Sequence, residues 1–230
     1  MTNRHFLNRA RKAFSASILF GLFVFSTLFA IGCGRPPKPV NLAGVWPSTT
    51  FDEEGYYDTT EEWTRHGQVL SSFSEQKQQV LEVYATLKSP EWQAAYNDFL
   101  GIRERLPKPE VEMRCSAARA KDYVEIAIFM SVDDRRSNDL HKGKRSTWRI
   151  ALLDDTGREL EPTVVKRDRR PDPVIRTEFP HYTTFQRVYL ARFPNIQAWF
   201  GPDRKRIALK IVSPRGGLEL EWTAVNATKE

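Results

Sequence analysis

The side chains of this 230-residue sequence best suited to acid–base or metal chemistry are three histidines, His66, His141 and His181, and one dense polar run, Asp133-Asp134-Arg135-Arg136-Ser137-Asn138-Asp139. Imidazole changes charge near neutrality and is a common metal ligand. None of the three has a second His, Cys or carboxylate at a spacing such as His-Glu-x-x-His. Asp133, Asp134 and Asp139 are the candidate metal ligands, because carboxylates with an amide on one loop can supply oxygens to Ca²⁺. The register of a calcium loop is missing, however, and Arg135 and Arg136 put positive charge where the ion would sit. A solvated hairpin loop is the expected role.

Nucleophilic and phosphate chemistry find less support. There is no Gly-x-Ser-x-Gly elbow, and Gly216-Gly217 reads as a turn rather than a phosphate-binding loop. Cys115 alternates with Val111 and Met113, which marks it as a buried strand residue rather than a nucleophile. No catalytic residue and no cofactor is therefore expected. Binding candidates remain. Basic runs at Lys142-Gly143-Lys144-Arg145, at Lys166 to Arg170 and at Arg204-Lys205-Arg206 could meet anionic lipid or polysaccharide. Acids at Asp139, Asp168, Asp172 and Asp203 dilute each run. Lys166 and Arg167 stand as candidates, and so do Trp199 and Phe200, which either form an exposed aromatic contact or fill the end of a sandwich.

The N-terminus belongs to a different layer of organisation. Arg4, Arg9, Arg11 and Lys12 precede an apolar stretch from Phe14 to Ile31, the pattern of an export signal, which is set aside from fold reasoning. The stretch ends in Phe29-Ala30-Ile31-Gly32-Cys33. This resembles the lipobox of bacterial lipoproteins, with Ala30 where Leu is usual, and the resemblance implies cleavage after residue 32 and lipid on Cys33. An uncleaved inner-membrane anchor is the alternative, since about 18 to 20 apolar residues span a bilayer. Gly34, where inner-membrane retention would call for Asp, implies the periplasmic face of the outer membrane. Arg35-Pro36-Pro37-Lys38-Pro39 then reads as an extended spacer, and residues 33–52 as tether and lead-in.

Removing residues 1–32 leaves 31 basic and 29 acidic side chains, a near balance that argues against a nucleic-acid binder. Residues 53–106 read as a helical segment. Thr59 with Glu62 suggests a capping box, and Trp63, Leu70 and Tyr84, with His66, Phe73, Val80 and Leu87, form a heptad-like stripe. Ser89-Pro90 starts a second helix carrying Trp92, Tyr96 and Phe99. These aromatics are expected to dock on the rest of the domain, because leaving them in water costs ~1.5–3 kcal/mol each. This segment holds 5 basic and 10 acidic residues and residues 110–224 hold 22 and 17, so opposite charge favours the same contact.

From residue 107 to 225 the period changes to two. Strands are expected near 111–115, 124–130, 146–153, 158–165, 182–191, 205–212 and 218–224, followed by a tail at 226–230. The second is expected to be central, being apolar on both faces. Pairing should set Ile211 against Leu218, Leu209 against Leu220 and Ile207 against Trp222 across a four-residue loop, Ser213 to Gly216. A loop at Asp155-Thr156-Gly157 should set Leu152 against Leu160 and Trp148 against Val164, with Pro162 marking an edge. The arrangement resembles immunoglobulin-like β-sandwiches, so the fold expected is α+β: an antiparallel sandwich of about seven strands preceded by a helical hairpin. Gly44-Val45-Trp46 also resembles the opening motif of lipocalins, but a helical run after it does not suit a barrel.

The function these features imply is a non-catalytic, lipid-anchored protein of a bacterial cell envelope. It would hold the membrane through its N-terminal lipid and present a binding or structural surface to an envelope protein or polysaccharide. An envelope hydrolase with a site spread over loops is the alternative.

Overall fold

The computed structural model describes residues 37–71 and 78–225, so Cys33, the signal segment, Phe73, Lys77 and the tail from Asn226 lie outside the described residues. The chain builds an α+β fold with two antiparallel sheets. The larger has the order β1 (Thr64–Leu70), β2 (Gln79–Leu87), β3 (Tyr123–Val132), β7 (Arg187–Pro194), β6 (Val164–Arg167). The smaller has the order β5 (Glu159–Leu160), β4 (Arg149–Leu153), β8 (Arg206–Ser213), β9 (Gly216–Thr223). β3 lies at the centre of the larger sheet, as its apolar residues on both faces require.

Alternation along the strands sorts the two faces of the larger sheet. Val83, Met130, Ala85 and Ile128 form cross-strand pairs on one face and are fully buried. Gly67, paired to Val83, lies against Leu218 and Leu220 of β9, so this face meets the smaller sheet. Residues from both sheets, among them Ile128, Tyr189, Leu209 and Trp222, belong to one core. The other face carries Tyr84 paired to Phe129 and Phe129 paired to Val188. Helices α1 (Glu53–Glu62), α2 (Pro90–Arg103) and α4 (Asp172–Glu178) cover it. Phe179 stands edge-on to Phe129 at 4.8 Å, Trp92 stacks on Phe179 at 5.8 Å, and Tyr56 stacks on Phe99 at 4.3 Å. The expected docking of α-helical aromatics on the sheet therefore holds for Trp92, Tyr96 and Phe99.

Several expectations are corrected. Residues 64–70 and 79–87 are strands rather than helix: along 64–70 Arg65, Gly67 and Val69 are covered while His66, Gln68 and Leu70 are exposed, a period of two rather than 3.6. Helix α1 starts earlier than the Thr59 signal, where Asp52 Oδ1 accepts from the Gly55 N–H at 2.8 Å. Residues 108–119 form helix α3 (Lys108–Arg119) rather than a strand. Val111, Cys115 and Ala118 fall on one helical face, with Val111 against Gly101 of α2 and Cys115 buried, while Met113 is exposed. Pro109 sits in its first turn, where a missing N–H costs nothing. Ser89 does cap α2, accepting from the Trp92 N–H at 3.0 Å. The segment around Trp46 opens no barrel, and Arg119 lies over its ring at 5.1 Å.

The β8–β9 register is the expected one, and pairing continues to Ser213 with Gly216, so the turn is two residues, Pro214 and Arg215, rather than four. Leu152 faces Leu160 as expected. Trp148 does not face Val164, because the chain leaves the smaller sheet near Pro162 and β6 pairs with β7 instead, Val164 with Arg192. Both β5 and β6 are edges. The lead-in folds early: Val40 bridges to Ala224 in parallel, and Val40 and Leu42 are buried. Among the described residues no helix is long and apolar enough to cross a membrane.

Candidate functional site

Strand β6 lies at the edge of the larger sheet and packs against the 3-10 segment Leu140–Arg145. Two basic runs more than twenty residues apart in sequence thereby share one face. Arg167 pairs with Tyr189 of β7, and the His141 ring lies parallel to Tyr189 at 6.0 Å. Burial raises the Tyr189 phenol pKa, while Arg187 and Arg167 beside it pull it down. Arg187 and Tyr189 both bond to the Asn138 carbonyl, which fixes this corner from below. Gly143, at φ 57°, breaks the 3-10 run and turns Lys144 and Arg145 outward. Lys166, one residue from Arg167, belongs to the opposite face by alternation and pairs with Leu190.

The acid of this corner is already used. Asp139 is buried, and its Oδ1 accepts from Ser146 Oγ and the Thr147 N–H, each at 2.9 Å. Burial alone would raise its pKa, but those bonds and Lys142, 3.3 Å away, bring it below the ordinary Asp value. Among the described residues no carboxylate pairs with Lys144, Arg145, Lys166 or Arg167, all exposed. The result is a local excess of positive charge, a surface that attracts anions.

The three metal candidates do not converge. Asp133 forms an ion pair with Arg215, Asp134 accepts from the Arg136 N–H at 3.0 Å, and Asp139 is committed as described. Among the described residues no group of three His, Cys, Asp or Glu is placed to hold a metal. Trp199 and Phe200 are buried, Trp199 donating to the Pro194 carbonyl at 3.2 Å and Phe200 edge-on to Trp63 at 6.3 Å. They fill the core rather than offer an exposed contact. His66 is paired with Glu82 at 3.1 Å.

A second feature was invisible in the sequence. Six charged groups alternate in a chain: Arg192 to Glu125 (2.7 Å), Glu125 to Lys88 (3.2 Å), Lys88 to Glu178 (3.4 Å), Glu178 to Arg170 (2.5 Å) and Arg170 to Asp168 (2.7 Å). Lys88 also lies over Trp92 and Phe179, at 5.1 and 5.5 Å. A cavity of about 220 Å³ opens beside it between α2, α3 and the start of β3, lined by Lys88, Gln93, Asn97, Arg114, Lys121 and Glu125 among others. Burial would raise the Glu125 pKa, but Lys88 and Arg192 outweigh it and hold the carboxyl ionised. Partial burial lowers the Lys121 ammonium pKa. Groups from α2, α3, α4, β3 and β7 and from the loops between elements meet here, so no sequence spacing could announce them.

Compared with family models, curated proteins and solved structures, the chain gives no match.

Proposed function

We propose that this chain is a non-catalytic, lipid-anchored protein of a bacterial cell envelope that binds an anionic partner through the face formed by residues 140–145, Arg167 and Arg187. The observation that carries the binding reading is the packing of the 3-10 segment on β6, which sets Lys142 beside the buried, already bonded Asp139 and, on the neighbouring strands, Arg167 and Arg187 beside Tyr189. Lipid on Cys33 rests on the lipobox resemblance, and with it cleavage after residue 32 and the periplasmic face of the outer membrane. The likeness to immunoglobulin-like sandwiches belongs to this reading too, supported by two antiparallel sheets around one core.

The cleft carboxylate, Glu125, is held ionised by two cations, which does not favour a general-acid role for it in a hydrolase. A general acid near neutrality requires the opposite shift. The test is expression of the full chain with labelled palmitate, followed by capture of partners from detergent-solubilised envelopes. Label lost in Cys33→Ala, together with partners eluted by salt, is the expected result. Label retained in that variant would overturn the anchor, and partners indifferent to salt would overturn the electrostatic face.

A further inference from the structure

We infer that the cavity between α2, α3 and the start of β3 binds a small organic hydroxy acid, with Lys121 as the partner of its carboxylate and Asn97 as the acceptor for its hydroxyl. The site is separate from the basic face and stands independently of the anchor. Tyr123 and Glu125, which line the cavity, pair with Pro194 and Arg192 at one end of β7, whereas Arg187 of the basic face lies at the other. The five residue steps from Arg187 to Arg192 span roughly 16 Å at ~3.3 Å per residue.

The shape follows from local structure. Trp92, Gln93, Tyr96 and Asn97 share one face of α2, since residues four apart lie one above the other. Ala117 and Ala118 of α3 are small and leave the space open, so with Trp92, Tyr96 and Tyr123 they make most of the wall apolar. A volume of about 220 Å³ is half again the ~150 Å³ that holds benzene. It suits a six-membered ring with two small substituents.

Charge decides what those substituents are. Around the cavity Lys88 is held by Glu125 and Glu178, Arg114 by Glu104 and Glu110, and Glu125 spends its two oxygens on Lys88 and Arg192. Lys121 has no carboxylate partner among the described residues, and its Nζ donates to Gln93 Oε1 at 3.4 Å. One uncommitted ammonium calls for one negative charge, which a carboxylate supplies and a phosphate exceeds. Burial lowers the pKa of that ammonium, Lys88 and Arg192 add to the effect against Glu125, and an anion beside it would restore the charged form. The second polar group on offer is an amide. Asn97 is buried, donates Nδ2 to the Gln93 carbonyl at 2.8 Å, and keeps Oδ1 without a hydrogen-bond partner among the described residues. Gln93 is used at both ends, its Nε2 donating to the Lys88 carbonyl at 3.2 Å. A ligand hydroxyl against Asn97 Oδ1 supplies the missing bond.

The test titrates 4-hydroxybenzoate into the full-length protein in neutral detergent micelles by calorimetry, beside 4-hydroxybenzamide, benzoate and phenyl phosphate. Expected is saturable binding of 4-hydroxybenzoate, at least about tenfold tighter than the neutral amide and several-fold tighter than benzoate. Lys121→Gln should bring acid and amide to equal affinity at an unchanged melting temperature. Ala117→Trp, at an exposed position on the cavity wall, should abolish binding of every probe. Absence of binding at millimolar 4-hydroxybenzoate, or a preference for the acid that survives Lys121→Gln, would overturn the inference, and binding that survives Ala117→Trp would remove it from this cavity. Tighter binding of phenyl phosphate would overturn the carboxylate, and benzoate equal to 4-hydroxybenzoate would overturn the role of Asn97.

Discussion

Arg65 donates through Nε to the Glu221 carbonyl at 2.7 Å, tying the edge strand of one sheet to the edge strand of the other. Its remaining donors reach the carbonyls of Glu62, Thr64 and Lys38 at 2.7, 3.0 and 2.8 Å, and its guanidinium lies 5.9 Å from the centre of the Trp222 ring. No carboxylate of a described residue pairs with it. Burial accordingly lowers its pKa, to about 10. The cation is paid for by four carbonyls, one of them at the C-terminal end of α1, where the helix dipole favours positive charge.

Arg65→Met should therefore destabilise the fold by roughly 3 kcal/mol or more, because buried carbonyls lose a charged donor. Arg65→Lys should recover little, since one ammonium cannot span four carbonyls around a planar fork. Urea melts of the two variants would check this. A wild-type midpoint in Arg65→Lys would show that charge alone matters.

His181 gives the fold a pH dependence near neutrality. Its Nε2 is buried and has no hydrogen-bond partner among the described residues, and its ring packs on Phe129 at 4.6 Å and Tyr84 at 5.5 Å. Burial lowers its pKa from 6.5 to about 4. Between those values the unfolded chain takes up a proton that the folded chain refuses. Stability is thus full above pH 6.5 and falls as pH drops towards about 4, by roughly 3 kcal/mol in all. His181→Phe should flatten this part of the stability–pH curve. An unchanged slope would show that the imidazole charges freely in the folded state.

What the sequence disclosed follows burial. The β8–β9 register was legible because Ile207, Leu209 and Ile211 alternate with the smaller Ala208 and the charged Lys210 and face Trp222, Leu220 and Leu218, so one slip would have misplaced them all. Strand β2 is buried on both faces over Ala85 to Leu87, which erases its period. Helix α3 hid behind the accident that Val111, Met113 and Cys115 alternate, although Pro107 and Pro109 marked a helix start. The basic face was half legible: its two runs were visible, but their meeting depends on β6 joining β7 across the sheet, and Pro162 alone hinted that the chain changes partners there.

The charge chain makes a separate prediction. Glu178 is buried between Lys88 and Arg170, and losing one member of a buried pair is strongly destabilising. Arg170 is partly exposed, which reduces the expected cost of Glu178→Gln to roughly 2 kcal/mol. Glu125 and Asp168 are half-buried acids whose neighbouring cations, Lys88 with Arg192 and Arg170, hold them below their ordinary values of 4.5 and 3.8. Their contribution is complete above those values and is lost as pH falls through the lower folded ones. Glu125→Gln should weaken the acid dependence below pH 4.5 while costing stability at pH 7, as acid-titrated melts would reveal.

The last prediction contrasts two turn glycines. Gly216 closes the β8–β9 turn at φ 129°, and a Cβ built there would lie 2.7 Å from Cγ1 of Val69 on β1. Gly157, in the β4–β5 turn, has φ 80° and open space around it. A left-handed residue costs ~1–2 kcal/mol for ordinary side chains and little for Asn. Gly157→Asn should be close to neutral and Gly157→Ala should cost about 1 kcal/mol. Gly216→Ala meets two penalties, since φ 129° is nearly closed to any side chain and the contact with Val69 forces β1 away from β9. It should cost more than Gly157→Ala, and Val69→Ala in the same chain should relieve the steric part but not the backbone part. Thermal melts of the four variants would decide it, and equal losses for the two alanines would show that β1 yields freely at this corner.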